Sequence, residues 1–130
     1  MKTFLFALAL FLSPVALACD CAPVPDETAF QNARAVFLAR ITNAELVSGK
    51  RQTVRAIFEV VEIFKGNPAS IKFVESFTPD SSCGEPLIVG ARYLIFAESE
   101  LSAFIVTCGH SRYFNETRET QWLRKHRPAK

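Results

Sequence analysis

The chain has 130 residues, enough for one domain, with 15 Lys and Arg against 13 Asp and Glu and a formal charge of +2 at pH 7. So balanced a charge supplies no electrostatic footprint for nucleic acid, and nucleic-acid binding is not expected. Residues 3–17, TFLFALALFLSPVAL, are almost entirely apolar, follow Lys2 and run into Ala16-Leu17-Ala18. That order predicts a secretory signal peptide over 1–18, cut after Ala18. The apolar run is shorter than the roughly 20 residues a span needs, and no later segment is apolar enough to cross a membrane. An uncleaved anchor is the alternative reading. The expected location is secreted or extracytoplasmic, periplasmic in a bacterial host.

All four cysteines, Cys19, Cys21, Cys83 and Cys108, follow the leader. An even count in a small exported domain predicts two disulfides, and spacing alone allows three connectivities. Cys19 would be the first residue after cleavage. That position also makes it a candidate acceptor for a bacterial lipid anchor, although Ala16-Leu17-Ala18 departs from the usual Leu, small residue, then Gly or Ala.

Next comes Ala22-Pro23-Val24-Pro25, whose prolines favour an extended segment. Asp26 is placed to cap a helix through Ala33, with acids in its first turn. Runs rich in β-branched and aromatic residues then predict five strands: 35–41, 53–64, 71–75, 92–97 and 103–107. Both faces of 53–64 mix polar and apolar residues, as in a long, bent strand serving two surfaces. Lys65-Gly66-Asn67-Pro68 reads as a turn, and 78–86, TPDSSCGEP, as a loop carrying Cys83. Residues 116–125 read as a polar helix burying Trp122 and Leu123, and 126–130 as a basic tail. The predicted class is mainly β, a five-stranded Greek-key barrel (OB-fold) with a short N-terminal and a C-terminal helix. A domain over 19–125 would lie between the leader and the tail.

The chemistry available argues against an enzyme. The histidines are His110 and His126, and a Cys-His nucleophile needs a free thiol that export disfavours. Glu59, Glu62 and Glu75 fit solvated strand faces. Cys19, Cys21, Cys108 and His110 could form a Cys₃His zinc set, but oxidising conditions turn close thiols into disulfides. No cofactor is expected. Asn115-Glu116-Thr117 matches a glycosylation triplet, with helix capping by Asn115 as the competing role. Arg124, Lys125, Arg127 and Lys130 read as a solvated face, with a membrane or polyanion contact as the alternative.

The stretch CDCAPVPDETAFQNARAVFLARI resembles the N-terminus of the tissue inhibitors of metalloproteinases (TIMPs). Their mature chains open Cys-x-Cys, then Pro, then Ala-Phe and a strand of the Val-Ile-Arg-Ala type. Phe64-Lys65-Gly66, Ser82-Cys83-Gly84, Thr107-Cys108 and Trp122 continue the likeness in order, from Cys19 to about Lys125. The resemblance implies a netrin-like (NTR) OB-fold and the pairs Cys19–Cys83 and Cys21–Cys108. It implies no catalytic residues. It makes the freed Cys19 amine and carbonyl the group that chelates the zinc of a target metalloprotease. The implied inhibitory edge is Cys19, Asp20, Cys21, Ala22 and Pro23 with Pro79, Asp80, Ser81, Ser82 and Cys83. The alternative partner is another extracytoplasmic protein, met by a non-inhibitory netrin-like interaction module without zinc chemistry, for which a lipid on Cys19 would supply an anchor to an envelope membrane.

Three departures stand out. Gln31 occupies the place of a third-disulfide cysteine, and its partner after Cys108 is missing too. Within these 130 residues no counterpart of the family's cysteine-rich second domain is expected. Asp20 replaces a small Thr or Ser. In an extended chain Cys19 and Cys21 point one way and Asp20 the other.

Overall fold

A computed structural model describes residues 19, 21–22, 24–49, 52–78 and 83–127. The readings of a leader, of Lys130 and of Asp20, Pro23 and 79–82 lie outside these residues. Helix α1 (Asp26–Asn32) leads into strands β1 (Ala35–Val47), β2 (Thr53–Lys65), β3 (Phe73–Phe77), β4 (Arg92–Ala97), β5 (Ser102–Phe104) and β6 (Arg112–Tyr113), and helix α2 (Glu116–His126) follows. The strands form one sheet in the order β5-β3-β2-β1-β4-β6. Strands β1, β2 and β3 make an antiparallel meander, β4 returns antiparallel to β1, and β5 lies parallel to β3. This is the Greek-key order of an OB-like barrel, curled but left without a ladder between β4 and β5 among the described residues.

The curl has a local cause. Register shifts interrupt the β1–β2 ladder at Val36/Phe37, Leu38/Ala39 and Ile41/Asn43. Each extra residue bends the strand and increases its twist. The bend lets β1 bury both faces. Ala35, Phe37, Ala39 and Ile41 enter the barrel core with Val74, Tyr93, Ile95 and Ile105. Val36 and Leu38 face a second core with Leu94, Phe96, Phe114, Trp122 and Leu123. The second core is the underside of the helices, to which α1 adds Ala29 and Phe30.

Several boundaries differ from the sequence reading. Strand β1 continues to Val47 because residues 43–47 pair with 53–57 of β2. Strand β3 starts at Phe73, since Ile71 closes a 3-10 turn over Pro68–Ser70 by donating to the Pro68 carbonyl. Strand β5 ends at Phe104, and a sixth, two-residue strand pairs with Tyr93 and Leu94. Strand β2 does serve two surfaces: Ala56 and Phe64 are buried while Ile57, Val61 and Ile63 are exposed.

The helix ends show what holds them. Asn115 caps α2 by accepting from the Arg118 N–H at 3.2 Å. Asp26 does not cap α1; Pro25 holds the cap position without a side-chain bond. The C-terminal end of α1 has no basic residue of its own, and Lys65 supplies one. Its Nζ donates to the carbonyls of Phe30 and Gln31, both at 2.7 Å, where the helix dipole favours a cation. Gly66 follows with φ of 67°, and a Cβ there would sit 2.0 Å from the Arg34 carbonyl oxygen. The Lys65-Gly66 turn is therefore fixed by a cap and by a close backbone approach.

Candidate functional site

The extended chain ahead of α1 is built around cysteines. Cys19 is bonded to Cys83 and Cys21 to Cys108, with Cα–Cα distances of 6.0 and 5.2 Å. The loops they close span 64 and 87 residues of separation. In the chain-entropy picture each closure stabilises the fold by about 4–5 kcal/mol. All four sulfurs are consumed in these bonds. The zinc set built on Cys19, Cys21, Cys108 and His110 therefore has no thiolate to offer, and no cluster of metal-ligating side chains is found among the described residues.

The two partner cysteines are neighbours. The Thr107 N–H donates to the Cys83 carbonyl at 3.3 Å, and Gly84 bridges to Val106. The Glu85 N–H donates to the hydroxyl of fully buried Ser76 at 2.9 Å. Gly84 lies against the carbonyl oxygens of Phe77 and Thr78, so closely that a Cβ would come within 2.5 and 2.4 Å of them. The end of β3, Cys83 and the Val106–Cys108 stretch thus meet at one end of the sheet. Both disulfides land there and hold Cys19 and Cys21 across it. Ala22 is exposed on the same segment. The other members of the implied edge, Asp20, Pro23, Pro79, Asp80, Ser81 and Ser82, are outside the described residues.

Beyond Cys21 two further contacts hold the segment. His110 donates through Nε2 to the Val24 carbonyl at 2.8 Å. The Arg112 guanidinium reaches both Asp26 oxygens at 3.1 and 2.9 Å, both Glu119 oxygens at 2.8 Å and the His110 carbonyl at 3.2 Å. The cleft beside this crossing, about 570 Å³, is lined by Val24, Phe96, Phe104, Val106, Cys108 and His110. It opens where β4 and β5 part. Neither His110 nor Arg112 carried a signal of this role in the sequence, because the contacts join residues 86 apart.

The charges around the segment compensate one another. Burial alone would pull the Arg112 guanidinium down, but its bonds to Glu119 and Asp26 outweigh that and hold it above the ordinary arginine value. Its hydrogen bonds hold the Glu119 carboxyl below the usual carboxylate range. Glu119 is therefore expected to contribute stability fully above its unfolded pKa of about 4.3, and to lose it as pH falls through the lower folded value. Thermal unfolding followed from pH 6 to pH 2.5 should show a falling midpoint below about pH 4. Glu119→Gln should lower the plateau and flatten part of that fall.

The remaining candidate groups do not converge. Glu62 pairs with Arg127 at 2.8 Å and Glu75 with Arg55 at 2.9 Å, while Glu59 is exposed on β2. No two of these three carboxylates form an acid/base pair. His126 belongs to α2, where it stacks on Trp122 with ring centroids 4.3 Å apart. Lys125 pairs with Glu27, and that hydrogen bond holds the Glu27 carboxyl low. Two of the basic groups near the chain's end are thus neutralised within the fold. Among the described residues no helix is long and apolar enough to cross a membrane.

No protein-family model matches the chain. Curated relatives do. Metalloproteinase inhibitor 2 of Gallus gallus is 35% identical over 92 residues, 64% of this chain and 42% of the relative. The Homo sapiens protein of the same name is 34% identical over 105 residues, 74% and 47%. That of Bos taurus is 32% identical over 98 residues, 68% and 44%. The chain spans less than half the length of these relatives. Their names describe inhibitors, not enzymes. With two disulfides landing at one end of an OB-like sheet, and with these relatives, the chain is a TIMP-like domain, similar to part of metalloproteinase inhibitor 2.

Proposed function

We propose that this chain, exported and freed of its leader, inhibits a zinc metalloprotease by chelating the catalytic zinc through the amine and carbonyl oxygen of Cys19. The observation that carries this reading is the Cys19–Cys83 bond, which ties to the end of the sheet the residue that cleavage after Ala18 would place first. A catalytic zinc keeps a coordination position for water, and a neutral amine with an adjacent carbonyl can take that place. A ligand already fixed by two disulfides loses little conformational freedom on binding, so more of its contact energy appears as affinity. The edge would comprise Cys19 to Pro23 with Pro79 to Cys83.

Asp20 sets the selectivity in this reading. Its side chain would enter the pocket beside the zinc, where an unpaired carboxylate costs several kcal/mol in apolar surroundings. The protein should therefore inhibit apolar-pocket proteases weakly and prefer a pocket carrying a basic group. Titration of the exported protein and Asp20→Thr against a panel of zinc endopeptidases tests this. Asp20→Thr should tighten inhibition of apolar-pocket members by about tenfold or more, since each factor of ten is about 1.4 kcal/mol. Failure of both proteins against every member would remove the inhibitory reading and favour a module that binds a partner without touching zinc.

A further inference from the structure

We propose that His110 and Arg112 are positioning residues that fix the pose of the N-terminal segment, a role that rests on the inhibitory reading for its purpose. Three ties run in parallel order along the two chains: the disulfide 21–108, the hydrogen bond 24–110 and the ion pair 26–112. The first is covalent, the second meets a backbone carbonyl and the third is ionic. Together they form a rail that holds Cys21, Val24 and Asp26 against Cys108, His110 and Arg112.

The sequence explains why side chains do this work. Pro23 and Pro25 have no N–H, so the segment cannot zip into the sheet as a strand. The Pro25 carbonyl is taken by the Ala29 N–H of α1 at 3.1 Å. The Val24 carbonyl is met by the His110 ring. The Asp26 side chain, free of capping duty, is turned to Arg112. Arg112 is in turn anchored by Glu119, whose side chain is only 4% exposed. A fork held by a buried carboxylate presents its other edge in a fixed direction, which a flexible lysine could not do. The disulfides alone leave the chain between Cys21 and α1 pinned at its two ends. The contacts at Val24 and Asp26 remove the swing between them.

The experiment uses the protein exported from its own leader, labelled with ¹⁵N. Backbone order parameters of Cys21, Ala22 and Val24 are measured together with inhibition constants. Arg112 is left intact because its loss would strand Glu119. The double variant His110→Ala with Asp26→Asn should lower these order parameters from near 0.85 toward about 0.6. It should leave those of β1 and β4 unchanged and weaken inhibition about tenfold. His110→Gln with Asp26 intact, which keeps an N–H donor, should stay near wild type. Unchanged order in the double variant overturns the proposal whatever the inhibition constants are. A fall in order with unchanged inhibition also overturns it, since the contacts would then not position the inhibitory group. If wild type inhibits no protease while the order parameters fall, the anchoring stands and the inhibitory reading is what fails.

Discussion

One alanine added ahead of Cys19 is expected to abolish inhibition, weakening it by at least about a thousandfold, or ~4 kcal/mol. The added residue converts the Cys19 amine into a peptide nitrogen, whose lone pair is delocalised and cannot bind zinc. It also places a side chain where the zinc ligand would sit. The disulfides to Cys83 and Cys108 and both cores are untouched, so the thermal midpoint should match wild type. The same chemistry predicts a pH dependence with a definite sign. A free α-amine has a reference pKa of about 7.7–8.0, and its protonated form has no lone pair. Inhibition should therefore tighten as pH rises through that range and level off above it. Intact-mass measurement of the exported protein completes the test, because a lipid on Cys19 would block the amine and end this reading. Unchanged potency in the extended protein would exclude amine–zinc binding, even if inhibition itself were real.

The parts of this molecule legible in sequence are those governed by near neighbours. Strand β4 alternates toward two cores, and the reading of 92–97 matches its bounds. Asn115 caps α2 through a contact three residues away. Trp122 and Leu123 are buried as an otherwise polar helix demands. Where the sequence reading slipped, a distant partner decided. Asp26 looked like a cap and is instead drawn to Arg112, 86 residues later, while a proline takes the cap position. Residues 43–47 carry little alternating pattern and become strand because 53–57 pair with them. Strand β6 is two residues long, below any periodic signal. The disulfide pairing followed from the family resemblance; cysteine spacing had left three arrangements open. The contacts at Val24 and Asp26 had no such guide, since a lone His and a lone Arg after a cysteine look like any surface turn.

Gly84→Ala should be among the most damaging single substitutions in the described chain, costing roughly 3 kcal/mol or more. The cause is space and not backbone torsion. A Cβ at Gly84 would lie 2.4 Å from the Thr78 carbonyl oxygen, 2.5 Å from that of Phe77 and 2.9 Å from the Phe77 carbonyl carbon. All three are backbone atoms, so no rotamer change relieves the overlap, and either the end of β3 or the Cys83 loop must move. Forced overpacking of this kind typically costs about 1–3 kcal/mol where side chains can yield, and more where they cannot. Movement would disturb the Glu85–Ser76 bond and the Gly84–Val106 bridge, and with them the seat of Cys83. Gly109 supplies the comparison on the other side of the site. A Cβ there would be 3.2 Å from the Val106 carbonyl oxygen and 3.3 Å from that residue's side chain, a contact that a shift of a few tenths of an ångström relieves. Gly109→Ala should therefore cost about 1 kcal/mol or less, and at about 4–8 °C per kcal/mol the two midpoints should separate by about 8 °C or more. Thermal unfolding of both variants, with mass analysis of disulfide content, checks this. A Gly84→Ala protein that matched wild type in both respects would show that the Cys83 loop does not lie against Phe77 and Thr78, and Cys19 would lose the support on which its proposed role depends.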